Sequence, residues 1–173
     1  MGDYLLERQK SERLHYRKLT SGDFTSWLPF YHDPNSTKYW DGLPNDAETA
    51  CTEQFERQFE RYENGLGGMN ALISIKTGDL VGICGLLLQT VDGIEELEIG
   101  YSILPQYRQK GYAFEAAQKC KQFAFEHRLA ESLISIIQVD NIPSQKVALK
   151  NGMFLDKTTS YKNNQVHIFR VSS

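Results

Sequence analysis

One mixed α/β domain, with a largely antiparallel central sheet flanked by helices, follows from three features of this sequence. Runs of β-like alternation are interleaved with segments of helical period. The run 132–139, SLISIIQV, is dense in β-branched residues and suits a strand buried on both faces. A glycine turn, Arg108-Gln109-Lys110-Gly111-Tyr112-Ala113, stands between a long β-like run and a helix start. The 173 residues are enough for a substantial core, and no segment reads as a linker, so residues 1–173 are expected to form a single domain.

In chain order, Arg13 to Leu19 alternates through Leu14 and Tyr16, which predicts a first strand. Thr20-Ser21-Gly22-Asp23 caps a short helix with Phe24, Trp27, Leu28 and Tyr31 on one side. Pro34-Asn35 and Pro44-Asn45-Asp46 punctuate a loop-rich stretch, and the latter caps a helix from Ala47 to Glu63 with Phe55, Phe59 and Tyr62 recurring at i, i+4, i+7. Asn64-Gly65-Leu66-Gly67-Gly68 closes that helix. Ala71 to Lys76 and Leu80 to Gln89 read as a hairpin around Thr77-Gly78-Asp79, and Asp92-Gly93 turns the chain into a third strand, Ile94 to Leu104. A helix from Tyr112 to His127, the buried strand, and a helix opened by Asn141-Ile142-Pro143-Ser144 and ended by Asn151-Gly152 follow. Met153 to Ser160 and Gln165 to Val171 close the chain as a hairpin across Lys162-Asn163-Asn164. Strands before and after a helix imply a parallel crossover in the middle.

Composition narrows the function classes. The hydrophobic fraction is 40%, the charged fraction 24% and the net charge −3, so no direct nucleic-acid binding is expected. Cys51, Cys84 and Cys120 are widely spaced, no CxxC pair exists, and the four histidines are scattered, so no metal site and no disulfide framework are expected. The segment 1–12 is polar and no apolar run reaches membrane-spanning length, which makes the cytoplasm the default compartment.

The turn at 108–113 carries the chemistry. A helix N-terminus presents free N–H groups at the positive end of its macrodipole, and glycine lets the backbone approach a ligand closely. Arg108 and Lys110 add charge, so the turn reads as a cradle for a pyrophosphate; the plainer reading is a strand-to-helix turn whose glycine only permits tight packing. Asn141-Ile142-Pro143-Ser144 likewise reads as a turn and helix cap on local sequence.

These segments together resemble the GNAT superfamily of N-acetyltransferases, and within it the RimJ/RimL type. Arg108-x-x-Gly111-x-Ala113 fits that family's acetyl-CoA pattern. It is preceded by Glu98-Ile99-Gly100-Tyr101-Ser102-Ile103-Leu104-Pro105 and followed by Asn141-x-x-Ser144 and Gly152-Met153. The resemblance implies the GNAT acyl-CoA N-acyltransferase fold and transfer of an acetyl group from acetyl-CoA, as co-substrate, to a primary amine: a protein or peptide N-terminus such as that of a ribosomal protein, or a small amine. A monomer or homodimer is implied. The alternative on the same fold is a non-catalytic acyl-CoA-binding sensor.

The resemblance also implies roles. Arg108, Gln109, Lys110, Gly111, Tyr112 and Ala113 would bind the CoA pyrophosphate. Tyr101, Ser102 and Ile103 would lie along the pantetheine where their strand splays from its neighbour, and an N–H between Ile99 and Tyr101 would face the oxyanion. Asn141 would bond the pantetheine, and Ser144 would serve the leaving thiolate. Glu98 is the candidate general base, with Glu95 and Glu96 close by; the other reading of these glutamates is a solvated acidic face that attracts a cationic amine. Many family members carry a tyrosine acid seven residues after the asparagine, where this chain has Ala148. Lys146 and Lys150 are positioned to reach a 3′-phosphate or simply to solvate their helix, Trp27 reads as core, and Trp40 reads as a substrate wall.

Overall fold

Residues 3–173 are described by a computed structural model. A seven-stranded sheet runs β1-β2-β3-β4-β5-β7-β6. Its strands are β1 (Leu14–Lys18), β2 (Gly67–Ser74), β3 (Leu80–Val91), β4 (Ile94–Ile103), β5 (Ser132–Gln138), β6 (Phe154–Tyr161) and β7 (Asn164–Ser172). Every pairing is antiparallel except β4–β5, which is parallel and holds a single register pair, Glu98↔Ile134. The mixed, largely antiparallel sheet expected from sequence is therefore what forms.

The helices divide between the two faces. α5 (Tyr112–Glu126) and α6 (Ile142–Lys150) cover one face, where Ala116, Ala117, Cys120 and Ala124 of α5 pack on Cys84, Leu97 and Ile99, and Ala148 of α6 joins them. Small residues on α5 let it lie close to the pleated strands. The other face is covered by α1 (Phe24–Trp27), α2 (Pro29–His32), α3 (Pro34–Thr37) and α4 (Ala47–Glu63), with Trp27, Phe30, Cys51 and Phe55 against Ala71, Ile73 and Ile83. Trp27 is fully buried, as its reading as core requires.

Two expectations are corrected. The single short helix after Thr20 is a 3₁₀ turn, Ser21–Asp23, followed by three one-turn helices. Pro29 and Pro34 each restart the chain at a first helical position, where the missing N–H costs nothing, and prevent one helix from continuing. Second, β2 spans Gly67–Ser74, not Ala71 to Lys76. The glycines read as a helix terminator belong to the strand: a Cβ on Gly67 would lie 2.0 Å from the Leu86 carbonyl oxygen, so only glycine lets β2 and β3 approach there. The polar N-terminal stretch also contributes to the core. Leu6 is fully buried, the Arg8 N–H donates to the Tyr16 carbonyl (3.1 Å), and the Leu6 N–H donates to the buried Asn70 Oδ1 (3.1 Å). Among the described residues no helix is long and apolar enough to cross a membrane.

Candidate active site

The glycine turn read as a cradle lies between β4 and α5. Gln109 and Gly111 both take positive φ (60° and 82°), and Gly111 is the N-cap of α5 with no side-chain cap bond. Among the described residues the backbone N–H groups of 109 through 114 have no hydrogen-bond partner; pairing resumes with the Glu115 N–H on the Gly111 carbonyl. Gln109 and Gly111 stand at positive φ on either side of Lys110, a type of backbone that can gather successive N–H groups into a concavity suited to an anion. Lys110 and Gln109 are exposed beside it, and Tyr112 and Ala113 open the helix.

Arg108 is differently employed from the expectation. Its Nε donates to the Ile103 carbonyl (3.1 Å), its Nη1 meets Asp33 (3.1 Å) and its Nη2 donates to Ser36 Oγ (2.6 Å). The guanidinium is thus spent on tying the turn to α3, whereas Lys110 has no ion-pair partner among the described residues.

A second backbone edge opens beside the turn. Gly100 and Ser102 pair with Gly85 and Ile83, and the Leu104 N–H donates to Val81, so even-numbered residues here turn their backbone groups toward β3. The odd-numbered ones face β5, which diverges beyond Glu98↔Ile134. At the junction the Ile99 carbonyl accepts from Ser135 Oγ (2.9 Å). Past it, Tyr101 and Ile103 direct their N–H groups into the gap. The mouth of the gap is spanned by one bond: the Tyr101 hydroxyl donates to the Ser144 carbonyl (2.8 Å). Burial pushes the Tyr101 phenol upward, which keeps it a neutral donor.

Asn141 and Ser144 meet the gap at the start of α6. The Asn141 side chain caps that helix, its Oδ1 accepting the Ser144 N–H (3.2 Å), which leaves the Asn141 amide N–H₂ and the Ser144 hydroxyl without a partner among the described residues. Ala148 is 1% exposed and packed in the core, so no side chain from that position reaches the gap. Lys146 is exposed, and Lys150 lies over the Phe114 ring (4.3 Å).

Glu98 occupies the opposite side of β4, away from α5. Its Oε1 accepts from Gln89 Nε2 (3.0 Å) and its Oε2 faces the Ile136 N–H (3.4 Å), a donor released by the divergence of β5. Burial pushes its carboxyl above the usual range, against the lowering influence of those two donors and of Arg61 and Lys162. Its neighbours are differently engaged: Glu96 forms a bidentate pair with Arg170 (2.7 and 3.0 Å), and Glu95 is exposed. Trp40 packs with Tyr161, Ile134 and Ile136 on the Glu98 side of the sheet.

One network at the turn has no signature in the sequence. Glu115, in the first turn of α5, accepts from Ser11 Oγ (2.5 Å), the Arg13 N–H (2.9 Å) and Arg13 Nε (2.7 Å), while Arg13 Nη1 donates to the Lys110 carbonyl (2.8 Å) and its guanidinium covers the Tyr112 ring (4.1 Å). The N-terminal strand thereby buckles the turn in place. Burial alone would raise the Glu115 carboxyl, but the Ser11 and Arg13 donors outweigh it and hold it below its ordinary 4.5. An acid lowered in the folded state contributes stability above its unfolded pKa that is lost as pH falls through the folded one. Glu115→Gln should therefore cost about 1–3 kcal/mol at neutral pH, and its deficit should shrink as pH falls below 4.5; urea titrations at two pH values measure both.

Comparison with known proteins gives the family and the fold. The family described as "Acetyltransferase (GNAT) domain" matches residues 13–154. An uncharacterized N-acetyltransferase of Bacillus subtilis (strain 168), YjdG, is 33% identical over 130 residues, covering 70% of this chain and 77% of its own length. An acetyltransferase from Agrobacterium tumefaciens str. C58 superposes with a TM-score of 0.79 at 23% identity, over 95% of this chain and 94% of that one. RimL, the ribosomal L7/L12 alpha-N-protein acetyltransferase solved with coenzyme A, superposes with a TM-score of 0.75 at 12% identity, over 95% and 97%. Among the described residues no cluster of side chains could hold a metal ion.

Proposed function

We propose, from the premise that this chain belongs to the GNAT acetyltransferase family, that it moves the acetyl group of acetyl-CoA directly onto a primary amine, with Glu98 as general base. The observation that carries the reading is the pairing of two unpartnered backbone surfaces, the N–H groups of 109–114 and the splayed edge of β4, on one side of a carboxylate whose pKa burial has raised.

Each residue then has a defined task. The N–H groups from Gln109 to Phe114, with Lys110 beside them, receive the pyrophosphate. Ile103, and Tyr101 through its carbonyl, pair with the pantetheine amides as a neighbouring strand would, Ser102 supports that edge through its pairing with β3, and Asn141 offers its amide N–H₂ across the gap. The incoming amine is protonated near neutral pH; the Glu98 carboxylate takes that proton, directly or through a water, and frees the lone pair. The amine nitrogen bonds to the thioester carbonyl carbon, and negative charge develops on the carbonyl oxygen. Gly100 is turned to β3 and Ile99 sits at the junction, which leaves the Tyr101 N–H to face that charge. As the carbonyl re-forms, the nitrogen gives its second proton to water, the carbon–sulfur bond breaks, and the sulfur leaves as a thiolate, to which the Ser144 hydroxyl donates a hydrogen bond.

A CoA thiolate is a fair leaving group without strong acid help, and Ala148 is buried where a tyrosine acid would be needed. Ser144→Ala should therefore lower kcat by no more than about tenfold, the worth of one hydrogen bond; a loss of a hundredfold or more in steady-state kinetics would make Ser144 the obligatory acid. The buried Ala148 also favours a second reading, an acyl-CoA sensor that binds without turnover. CoA release measured with acetyl-CoA and a panel of peptides and small amines separates the two.

A further inference from the structure

The amine side of the site is cationic. Arg57 and Arg61 are one turn apart on α4 and so share a face. Arg61 is fixed there: its Nη1 donates to the carbonyls of Leu66 and Leu88 (3.1 Å each) and its Nη2 to Gln89 Oε1 (2.7 Å), the same Gln89 that donates to Glu98. Arg57 lies close enough to Tyr31 of α2 to act on its phenol. Lys162 comes from the β6–β7 turn, where it takes positive φ (49°). Asn164 braces that turn against the Trp40 loop, its Nδ2 donating to the Lys162 carbonyl (2.9 Å) and its Oδ1 accepting the Asp41 N–H (2.9 Å). Among the described residues none of the three cations has an ion-pair partner, although Glu53 flanks Arg57 on α4. Lys162 follows Tyr161, which packs with Ile134 and Ile136 on the Glu98 side of the sheet; partial burial, Arg57 and Arg61 lower the Lys162 pKa, and Glu98 opposes them. When Glu98 accepts the amine's proton, that one compensating charge is lost.

We infer that the acceptor is a primary amine carrying an anionic group, carboxylate or phosphate, a few bonds from its nitrogen, with Lys162, Arg57 and Arg61 as the residues that select it. This rests on the acetyl-transfer reading above. A polyamine would bring further positive charge to three unpaired cations, whereas an anion on the acceptor compensates them while its amine faces Glu98.

The test compares matched acceptors in a CoA-release assay: β-alanine against 3-aminopropanamide, O-phosphoethanolamine against ethanolamine, and tripeptide amides with aspartate, asparagine or lysine in second place. The expected result is a kcat/KM at least about tenfold higher for the anionic member of at least one set, a preference that weakens with added salt. The set that shows it identifies the source as a small carboxylate, a phosphate monoester or an acidic peptide. Lys162→Gln and Arg57→Gln should each narrow that anionic-to-neutral ratio, and the double variant should narrow it further. Acetylation with no anionic preference, or with a ratio unmoved by either variant, overturns this inference alone. Absence of CoA release in every arm overturns it together with the transfer reading.

Discussion

Replacing Glu98 by glutamine is expected to lower kcat by about a hundred- to ten-thousandfold, the range for loss of a positioned general base. The pH dependence gives the diagnosis. The ionised carboxylate is the active form, so the wild-type rate should rise with pH through a Glu98 pKa that burial has moved above its ordinary 4.5, and the variant should lack that limb. The gap between the two should be widest between that pKa and the pKa of the amine, and should close as the amine deprotonates unaided. Stability moves the other way. An acid whose folded pKa is raised binds its proton more tightly folded than unfolded, so the fold loses stability as pH rises from the unfolded pKa through the folded one. At neutral pH glutamine removes that burden, and Tm should hold or rise while activity falls. A variant that loses Tm and activity together would mark Glu98 as a structural group, and an unaltered pH–rate profile would dismiss it as the base.

Gly111→Val tests the other half of the site. Gly111 holds φ +82° as the N-cap of α5, and a β-branched residue there costs about 1–2 kcal/mol. Its Cβ would also meet Arg13 Nη2 at 3.4 Å, where the buckle closes on the turn. Relief of that strain would rotate the N–H groups out of convergence. Acetyl-CoA affinity by calorimetry should fall about tenfold to a hundredfold, with the anionic-acceptor preference retained. Unchanged affinity would mean that the cradle is not where the pyrophosphate sits.

Much of this architecture can be read from local chemistry. The glycine turn, the alanine and cysteine stripe of α5 and the β-branched run of β5 are each short-range patterns, and each forms where its period predicts. Glu98 is legible because strand alternation separates it from Leu97 and Ile99, which point into the core. What sequence conceals is pairing across distance. Arg108 beside a glycine turn reads as a phosphate partner, yet its partner is Asp33, 75 residues earlier in the chain. Glu115 looks like an exposed first-turn acid until Arg13, just ahead of β1, is seen to close on it. Gly67 and Gly68 read as punctuation because nothing local reveals how closely β3 passes the first, or how closely Tyr62 and Gln58 of α4 crowd the second. Arg61 comes from α4 and reaches Glu98 through Gln89, and Lys162 comes from the last hairpin turn, relations that only the folded chain creates.

The most direct measurement is acetyl-CoA turnover by the folded protein, followed as CoA thiol release against time with and without an amine. Release that depends on the amine, with one N-acetylated product formed per thiol freed, is the predicted result. Saturable acetyl-CoA binding with no amine-dependent release across peptides and small amines would contradict the assignment of Glu98 as a working base and leave the site as a binding module.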